Sequence, residues 1–490
     1  MQLFRSILLS ALGVASLAGQ DSGYDQPYRP QYHFSPQRNW TNDPNGLVYF
    51  EGEYHLFFQY NPFGDQWGHM SWGHAVSRDL LHWQELPVAL PEENGVMIFT
   101  GSTVVDEQNS SGFCANGKPC LVAIYTGHTP RSGTTSSLQT QNLAYSNDRG
   151  RTWTKYVSNP VLNLNLSDFR DPKVFWSRQA KHWVMVVALP NDHKVLLYTS
   201  PDLKSWKQAS EFGPAGATAG QWECPELFEL PVEARRGETR WVLKVGLNPG
   251  ALQGGSGEQY FVGRFDGSRF TNDNPPSLAL WTDYGKDCYC ALTFNGLPRG
   301  HKPVMIGWMD NWQYAGKLPT NPWRGQMTFP RELSLRETPE GIRLFQNPAE
   351  QIERLIESDN DRRRAGHSFL LIFSVNPKAG HEVGLKLLSD GRNYTSVGYD
   401  PAKQVLFVDR RHSGLTNFSP EFPARVEAPL RAGGDSLRMQ ILVDRCSLEV
   451  FADGGRVVST NLVFPPAGAN AIENIGGKVL AIQEPVRSVH

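Results

Sequence analysis

The chain has little net charge. Its 47 Lys and Arg residues nearly balance its 49 Asp and Glu residues, which leaves −2 at pH 7. Proteins that bind nucleic acid or anionic membranes usually carry clustered positive charge, so this balance argues against both partners and favours a neutral ligand. Beyond the first 20 residues, no apolar run is long enough for a membrane-spanning helix. We therefore expect no nucleic-acid partner and no membrane partner.

Cysteine is also scarce, with six residues in a chain of 490. That number is too small for a disulfide framework in so long a chain. Cys114 and Cys120 flank a segment of five residues and are placed to close a small loop. Cys288 and Cys290 are separated by a single residue, which is the wrong spacing for a usual zinc knuckle. We expect at most one or two disulfides and no metal site.

The chain begins with a short apolar segment. An apolar run over residues 7–18 follows Arg5, and Ser16 and Ala18 supply the small residues of a cleavage site. A run of 12 residues is too short to span a bilayer. The segment predicts a signal peptide over residues 1–20 and a secreted, extracellular protein, with periplasmic retention open for a bacterial source. Glycan acceptor sequons occur at Asn39, Asn109, Asn165, Asn393 and Asn417.

Strand-like patterns dominate the first 330 residues, and helical periodicity is nearly absent. A Ser, an Asp two residues later, a polar turn and an aromatic residue recur at residues 77–83, 146–153 and 200–206, with a degenerate copy at 265–270. The aromatic residues are 53 to 70 residues apart. A hairpin recurring at this interval predicts the blades of a β-propeller. The alternative is a series of hairpins in another all-β fold.

The character of the sequence changes around residues 346–366, where a polar stretch and a charged run indicate a linker. Short alternating strands follow at residues 383–388 and 437–443, and the run 443–451 meets a turn at 452–455. About 120 residues of short strands indicate a β-sandwich. We expect a catalytic propeller over residues 28–345, a linker over 346–366 and a sandwich over 367–490.

Asp43 is the first of three acids with a distinctive local sequence. It lies in Trp-Thr-Asn-Asp-Pro-Asn-Gly (residues 40–46), and the proline after it favours an extended backbone. Asn42 and Asn45 are placed to donate hydrogen bonds that lower the pKa of Asp43, which suits an ionised nucleophile. The alternative is an ordinary type I turn, since Asp-Pro-Asn-Gly is also a favourable turn sequence.

Asp171 and Glu223 are the other two acids. Asp171 follows Arg170 in Phe-Arg-Asp-Pro (residues 169–172), and their pairing is left open because neighbouring strand residues point to opposite faces. Glu223 lies in Gln-Trp-Glu-Cys-Pro (residues 221–225), where apolar neighbours indicate a dry setting. Desolvation favours a protonated carboxyl group, which suits a general acid. Ordinary structural roles are the alternative for both.

The three motifs, in this order and approximate spacing, resemble the β-fructosidases of glycoside hydrolase family 32, which are the invertases, exo-inulinases, levanases and fructan exohydrolases. The resemblance covers the chain from about residue 31 to the C-terminal strands. The chain departs from the family at Thr41, where Met is usual, and at Cys288 and Cys290, where Phe and Ala are common. The family implies an all-β fold, a five-bladed β-propeller followed by a C-terminal β-sandwich.

The resemblance also implies residue roles. Asp43 is the nucleophile, Glu223 the general acid and then base, and Asp171 holds fructose hydroxyls. A retaining carboxyl pair is expected about 5–5.5 Å apart, and neither a metal nor a cofactor is needed. Further matches predict a substrate pocket formed by Asn42, Gln59, Trp67, Phe99, Ser102, Arg170, Asp283, Lys286, Trp308 and Trp312. Core packing is the alternative for each aromatic residue.

The sequence thus predicts a secreted, exo-acting, retaining β-fructosidase that releases fructose from inulin, levan or sucrose by double displacement. A fructosyltransferase of the same fold is an alternative, although the intact Asn-Asp-Pro-Asn-Gly motif favours hydrolysis. A catalytically silent fructan-binding propeller or a protein-interaction platform would not require all three acids. The sandwich either braces the propeller or binds polysaccharide, and both a monomer and a homodimer fit the family.

Overall fold

The computed structural model describes residues 23–131, 136–356, 367–477 and 479–490. These residues form β-sheets joined by turns and by short 3₁₀ helices at Pro190–Asp192, Ala315–Lys317, Glu350–Leu355 and Asp453–Gly455. In the described part of the chain, no helix is long and apolar enough to cross a membrane. The predicted signal peptide lies outside the described residues.

Residues 39–348 form five sheets. The first contains β1 (Asn39–Phe50), β2 (Glu53–Asn61), β3 (Ser71–Ser77) and β4 (Gln84–Leu90). The second contains β5 (Met97–Asp106), β6 (Cys120–Pro130), β7 (Ser137–Ser146) and β8 (Thr154–Lys155). The third contains β9 (Arg170–Ser177), β10 (His182–Leu189), β11 (Lys194–Ser200) and β12 (Lys207–Phe212). The fourth contains β13 (Gln221–Pro231), β14 (Thr239–Asn248), β15 (Gly257–Phe265), β16 (Phe270–Asn272) and β17 (Leu280–Trp281). The fifth contains β18 (Tyr289–Thr293), β19 (Val304–Trp308), β21 (Arg331–Thr338) and β22 (Gly341–Pro348), while β20 (Trp323–Arg324) joins the first sheet.

The first strands of the five sheets form a closed ring. β1 contacts β5, β5 contacts β9, β9 contacts β13, β13 contacts β18, and β18 contacts β1. β20 pairs in parallel with the start of β1, so a late segment of the ring completes the first sheet. Sheets arranged around an axis in this way form a β-propeller, which confirms that prediction and excludes a series of unrelated hairpins.

The repeated turn joins the third strand to the fourth in four of these sheets. Its acidic side chain accepts hydrogen bonds from backbone N–H groups two to four residues later, and the residues concerned are Asp79, Asp148, Asp202 and Asp266. The tryptophan that follows donates its ring N–H to a turn carbonyl in three copies, at Trp83, Trp153 and Trp206. The repeat is therefore the sequence of a turn that closes one hairpin in each of these four sheets.

The C-terminal strands form two five-stranded sheets. Their strands are β23 (Phe369–Val375), β24 (Val383–Ser389), β25 (Thr395–Asp400), β26 (Val405–Asp409), β27 (Arg425–Pro429), β28 (Leu437–Asp444), β29 (Ser447–Ala452), β30 (Val457–Leu462), β31 (Ala471–Ile475) and β32 (Leu480–Pro485). One sheet has the order β30-β29-β28-β23-β32 and the other β27-β26-β25-β24-β31. Their inner faces share one buried apolar core, so the predicted β-sandwich is confirmed. The run 443–451 spans an extra tight turn between β28 and β29.

Buried charges join the propeller to the sandwich. Arg331 of β21 donates to Glu449 of β29 (Nη2–Oε2, 2.5 Å) and to Asp283 (Nη1–Oδ2, 3.0 Å). The ring nitrogens of His33 lie 2.8 Å from carboxylate oxygens of Asp444 and Glu449. Ionised carboxylates only accept hydrogen bonds, so both ring nitrogens carry hydrogen and the His33 ring is a cation. Burial opposes this charge, but the bonds to the two carboxylates outweigh burial and raise the pKa of His33 to about 9.

Part of the predicted linker is a 3₁₀ helix that packs on the sandwich. Ile352 and Leu355 of the 3₁₀ helix Glu350–Leu355 are buried against Leu370 and Leu442 of the sandwich. Residues 357–366 lie outside the described residues, so the bounds of the linker stay a prediction.

Candidate active site

A cavity of about 340 Å³ lies where the first strands of the propeller begin. It is lined by Asn42, Asp43, Gln59, Trp67, Phe99, Thr100, His128, Gln139, Asp168, Arg170, Asp171, Glu223, Asn248 and Trp312. The three predicted acids come from β1, β9 and β13 and all line this cavity. The ring of sheets therefore brings together carboxyl groups that are far apart in sequence.

The backbone that carries Asp43 is a strand. Residues 42–46 lie within β1, and Pro44 and Asn45 pair with residues of β2. Irregularities in the register occur on both sides of these pairs, at residues 41–44 and 45–48. The alternative of an ordinary turn is therefore wrong: the motif is a strand segment whose bulges redirect its side chains.

Burial dominates the electrostatics of Asp43. It raises the pKa of Asp43 to about 6, although the hydrogen bond from Thr100 and the amide of Asn42 act in the opposite direction, and the charge of Glu223 adds to the rise. Thr100 Oγ1 donates to Asp43 Oδ2 at 2.7 Å. The hydrogen bond from Asn42 lowers the pKa of Asp43 as expected, but burial raises it by more. The expected bond from Asn45 is absent, since its side-chain amide has no hydrogen-bond partner among the described residues.

Asp171 is held by the backbone around it. Its own N–H donates to Thr126 Oγ1, and its Oδ2 accepts from the N–H of Cys224, both at 3.0 Å. A residue before proline is usually extended, yet Asp171 has φ of +65°, which tertiary contacts must maintain. Burial raises the pKa of Asp171, the adjacent Arg170 opposes the rise, and the charges of Glu223 and Asp43 add to it.

Glu223 is oriented by residues from two other sheets. Its Oε1 accepts from Nε and Nη2 of Arg170 at 3.1 and 2.9 Å, and its Oε2 accepts from the hydroxyl of Tyr289 at 2.5 Å. Arg170 Nε lies 3.9 Å from Asp171 Oδ2, so the guanidinium favours Glu223 over its own neighbour. The side chain of Glu223 is 19% exposed, which lets water reach it.

The predicted amides of the pocket are anchored. Trp40 Nε1 donates to Asn42 Oδ1 at 2.7 Å, and Gln59 Nε2 donates to the carbonyl of Ile98 at 3.0 Å. Both side chains line the cavity, and one end of each is fixed by the protein.

Aromatic side chains form part of the cavity wall. Trp67 is 47% exposed, and its ring lies 6.2 Å from that of Phe99 in an edge-on contact. Phe99 stacks on His128 with ring centroids 4.4 Å apart. Trp312 stacks on the buried Trp40 at 5.8 Å. Half-exposed Trp67 is the member of this group that a ligand reaches most readily.

Two predicted pocket residues are buried in the propeller. Ser102 is 1% exposed, and its hydroxyl accepts a hydrogen bond from the N–H of Val174. Trp308 is fully buried and packs against Trp40 and Trp312. Core packing, the alternative for each aromatic residue, is what the structure shows for Trp308, because its ring has no exposed surface and does not line the cavity.

Two other predicted pocket residues lie towards the sandwich. Asp283 accepts hydrogen bonds from Arg331 and from Thr460 of β30, so its carboxylate belongs to the domain interface. Lys286 donates to Gln253 and to Gln313 Oε1, the latter at 2.9 Å, and it is also absent from the cavity wall. Hydrogen-bond partners outside the cavity therefore occupy the charged groups of both residues.

Sequence reasoning did not identify Tyr289 and Thr100. The Cys-Tyr-Cys segment was considered for metal binding, and nothing local indicates that its Tyr hydroxyl reaches Glu223. Thr100 lies beside Phe99, and strand alternation would turn one of the two away. An irregular register between Ile98 and Gly101 brings both to the cavity, so a bulge was the missing signal.

Four cysteines form disulfides in the described chain, Cys114–Cys120 and Cys224–Cys290. The first is the predicted small loop, and two bonds match the expected maximum. An oxygen of Asp43 and the sulfurs of Cys224 and Cys290 lie within 4.8 Å of one another. The two sulfurs are bonded to each other and are not thiolates, so this group lacks the ligands for a soft metal ion.

Carboxyl groups that converge on a small cavity are typical of glycoside hydrolases, in which one group attacks the sugar and another exchanges protons with the leaving group and water. Family comparison agrees with this class. The family 32 profile described as "Glycosyl hydrolases family 32 N-terminal domain" matches residues 33–348, and "Glycosyl hydrolases family 32 C terminal" matches residues 334–482. The chain belongs to glycosyl hydrolase family 32.

Known relatives match almost the whole chain. It is 47% identical to a levanase of Bacillus subtilis over 95% of this chain and 71% of the relative. It is 43% identical to an extracellular exo-inulinase of Aspergillus awamori over 94% of each chain. The crystal structure of exo-inulinase from Aspergillus awamori superposes with a TM-score of 0.90 and 41% identity, covering 95% of this chain and 100% of that one.

Proposed function

We propose that this glycoside hydrolase is an exo-acting β-fructosidase that releases terminal fructose from fructans, from sucrose, or from both. The observation that carries the proposal is the joint exposure of Asp43, Asp171 and Glu223 to one cavity. The similarity to a levanase and an exo-inulinase supports fructan as the substrate class.

In the first step, a carboxylate oxygen of Asp43 attacks the anomeric carbon of the terminal fructose. The bond from that carbon to the glycosidic oxygen breaks, and Glu223 transfers its proton to the departing oxygen. Asp43 is ionised above about pH 6, where its pKa lies, and is then a nucleophile without help from a base. The step yields a fructosyl ester of Asp43 and a free leaving sugar.

In the second step, Glu223 removes a proton from water, which attacks the anomeric carbon and releases Asp43. Partial exposure of Glu223 supports this access of water. A retaining pair of this kind is expected about 5–5.5 Å apart. Asp171 accepts hydrogen bonds from fructose hydroxyls, and Arg170 and Tyr289 hold Glu223 in its orientation.

The size of the cavity supports action at chain ends. Its volume of about 340 Å³ is at the lower end of the range of about 300–1,000 Å³ for small-molecule sites, so it accommodates a terminal sugar rather than an internal stretch of polymer. Asn42, Gln59, Trp67, Phe99 and Trp312 line it and are proposed to contact that sugar. The cavity wall does not include Ser102, Asp283, Lys286 or Trp308, so these four residues are left out of the proposed sugar contacts.

Catalytic turnover by the assigned residues is tested with Asp43→Asn and Glu223→Gln. We expect fructose release to fall by about 10²–10⁴-fold for Glu223→Gln, because general acid catalysis contributes that much. Loss of the nucleophile in Asp43→Asn removes turnover. Glu229→Gln is the matched control, since Glu229 lies on the same strand but is exposed. Near-normal activity of either active-site variant would contradict the assignment.

Product analysis separates the alternatives. Oligosaccharides longer than the substrate at high sucrose would indicate a fructosyltransferase. Binding of fructan without any release of sugar would indicate a silent binder.

We also propose the number of propeller blades, the export of the protein and its oligomeric state. Five sheets that meet in a ring support a five-bladed propeller, which an experimental structure would test. Two disulfides, the sequence of residues 1–20 and an extracellular relative support export, which N-terminal sequencing of the secreted protein would test. The oligomeric state, a monomer or a homodimer, stays a prediction, and light scattering would test it.

A further inference from the structure

The disulfide Cys224–Cys290 lies beside the catalytic carboxyl groups. Cys224 directly follows Glu223 on β13, and Cys290 directly follows Tyr289 on β18. The hydroxyl of Tyr289 donates to Glu223. A covalent bond and a hydrogen bond therefore link adjacent residues of the same two strands, and any movement of one strand against the other would change the orientation of Glu223.

The same cystine contacts the other two acids. The N–H of Cys224 donates to Asp171 Oδ2 at 3.0 Å, and Cys224 Sγ lies 3.7 Å from Asp43 Oδ2. Both sulfurs lie within 4.8 Å of an Asp43 oxygen. Cys224 and Cys290 are 2% and 0% exposed, so the bond is packed behind the carboxyl groups.

The backbone at both cysteines is unusual. Cys224 has φ of +47° and Cys290 has φ of +46°, a region that side chains with a Cβ rarely adopt. Each residue lies in an irregular stretch of its strand, between the paired residues Glu223 and Glu226 and between Tyr289 and Leu292. Strained conformations of this kind persist only where the surroundings hold them, and a bond between the two strained residues supplies such a restraint.

We propose that the Cys224–Cys290 disulfide is a positioning device for the reaction. It holds two facing bulges so that Glu223, Asp171 and Asp43 keep their relative geometry during both steps. This inference rests on the proposed function, because it assigns a role in the same chemistry. The alternative is a cross-link that adds stability and has no effect on turnover.

The test compares Cys290→Ser, Cys224→Ser and the double variant with the wild-type enzyme, using levan, inulin and sucrose. We expect each variant to lose about 10- to 100-fold in kcat, because small displacements of reacting groups cost that much. KM should change less than kcat, and the acid limb of the pH profile should shift. Since every variant lacks the same bond, the double variant should be no worse than the poorer single variant.

Controls separate positioning from stability. The double variant Cys114→Ser/Cys120→Ser removes the other disulfide and should keep the wild-type kcat. A lowered Tm with unchanged kcat and pH profile in Cys290→Ser would overturn the proposal, as would multiplicative losses in the double variant. If a serine variant fails to fold, the matching alanine variants, which put no hydroxyl group into the buried site, give the same comparison.

Two further results keep this proposal distinct from the proposed function. Peptide mapping of the wild-type protein should find Cys224 joined to Cys290, and free thiols at both positions would overturn the positioning role. A wild-type enzyme that releases fructose from none of the three substrates would instead overturn the proposed function. If the wild-type enzyme is active and the cysteine variants are equally active, the positioning role of the disulfide would be overturned and the proposed function would stand.

Discussion

The buried ring of His33 predicts how the stability of the protein depends on pH. His33 lies between Asp444 and Glu449, and burial is outweighed by these two carboxylates, so its pKa rises from 6.5 to about 9. A raised pKa means that the folded state holds its proton more tightly than the unfolded state. The stabilisation by His33 is therefore fully present below pH 6.5, the pKa of the ring in the unfolded state. It is lost as the pH rises through about 9, the pKa in the folded state.

The size of the effect follows from the shift. Each pKa unit corresponds to about 1.4 kcal/mol, so the ring contributes on the order of 3 kcal/mol to the free energy of unfolding. Asp444 and Glu449 have lowered pKa values, through hydrogen bonds from His33 and, for Glu449, the charge of Arg331, which outweigh their burial. Both carboxylates stay ionised across this range, so within this cluster the pH dependence between 6.5 and 9 comes from the His33 ring.

The assay is urea unfolding of wild type and His33→Gln from pH 6 to above pH 9. We expect the difference in unfolding free energy to shrink by about 3 kcal/mol over that range. His69→Gln is the matched control, because His69 pairs with Glu92 but its side chain is 60% exposed, and such pairs contribute at most about 1 kcal/mol. A wild-type minus variant difference that does not change with pH would refute a cationic His33.

Other consequences follow from the same structure. Arg331→Met removes the guanidinium that the buried carboxylates of Asp283 and Glu449 share, so the free energy of unfolding should fall by about 3–5 kcal/mol. Lys302→Met, at a more exposed pair, should lower it by less than about 1 kcal/mol. Thr100→Val removes the hydrogen bond that favours ionised Asp43, so the pKa of Asp43 should rise. The acid limb of the pH profile of kcat/KM should therefore move up by about one pH unit. Trp67→Ala should raise KM by about tenfold, or about 1.4 kcal/mol, with kcat less affected. A chain ending at residue 350 should lose stability and activity if the sandwich braces the propeller, and a stable, active truncation would contradict bracing.

Local sequence was enough to predict the repeated hairpins, because each turn is made by its own Ser and Asp. It was also enough to predict which three acids line one cavity, because each lies in a short motif. The pairing of Cys224 with Cys290 was not predictable, since the two are separated by 66 residues and meet only when β18 closes the ring beside β13. Tyr289 was missed for the same reason.

The electrostatics of Asp43 show the limit of local reasoning. Neighbouring amides predicted a lowered pKa, but burial at the propeller axis raises it to about 6. Asp283 shows the same limit in geometry. Its motif resembles a pocket segment, while the docked sandwich supplies Thr460 as a partner that no local pattern reveals.

Chromatography of the products formed from levan, inulin and sucrose, at low and high substrate, shows directly whether this protein is an exo-acting β-fructosidase. We expect the wild-type enzyme to release free fructose from chain ends and Glu223→Gln to release it about 10²–10⁴-fold more slowly. Relative rates would then assign the preferred substrate. No fructose from any of the three substrates, or equal release by the Glu223→Gln variant, would contradict the account.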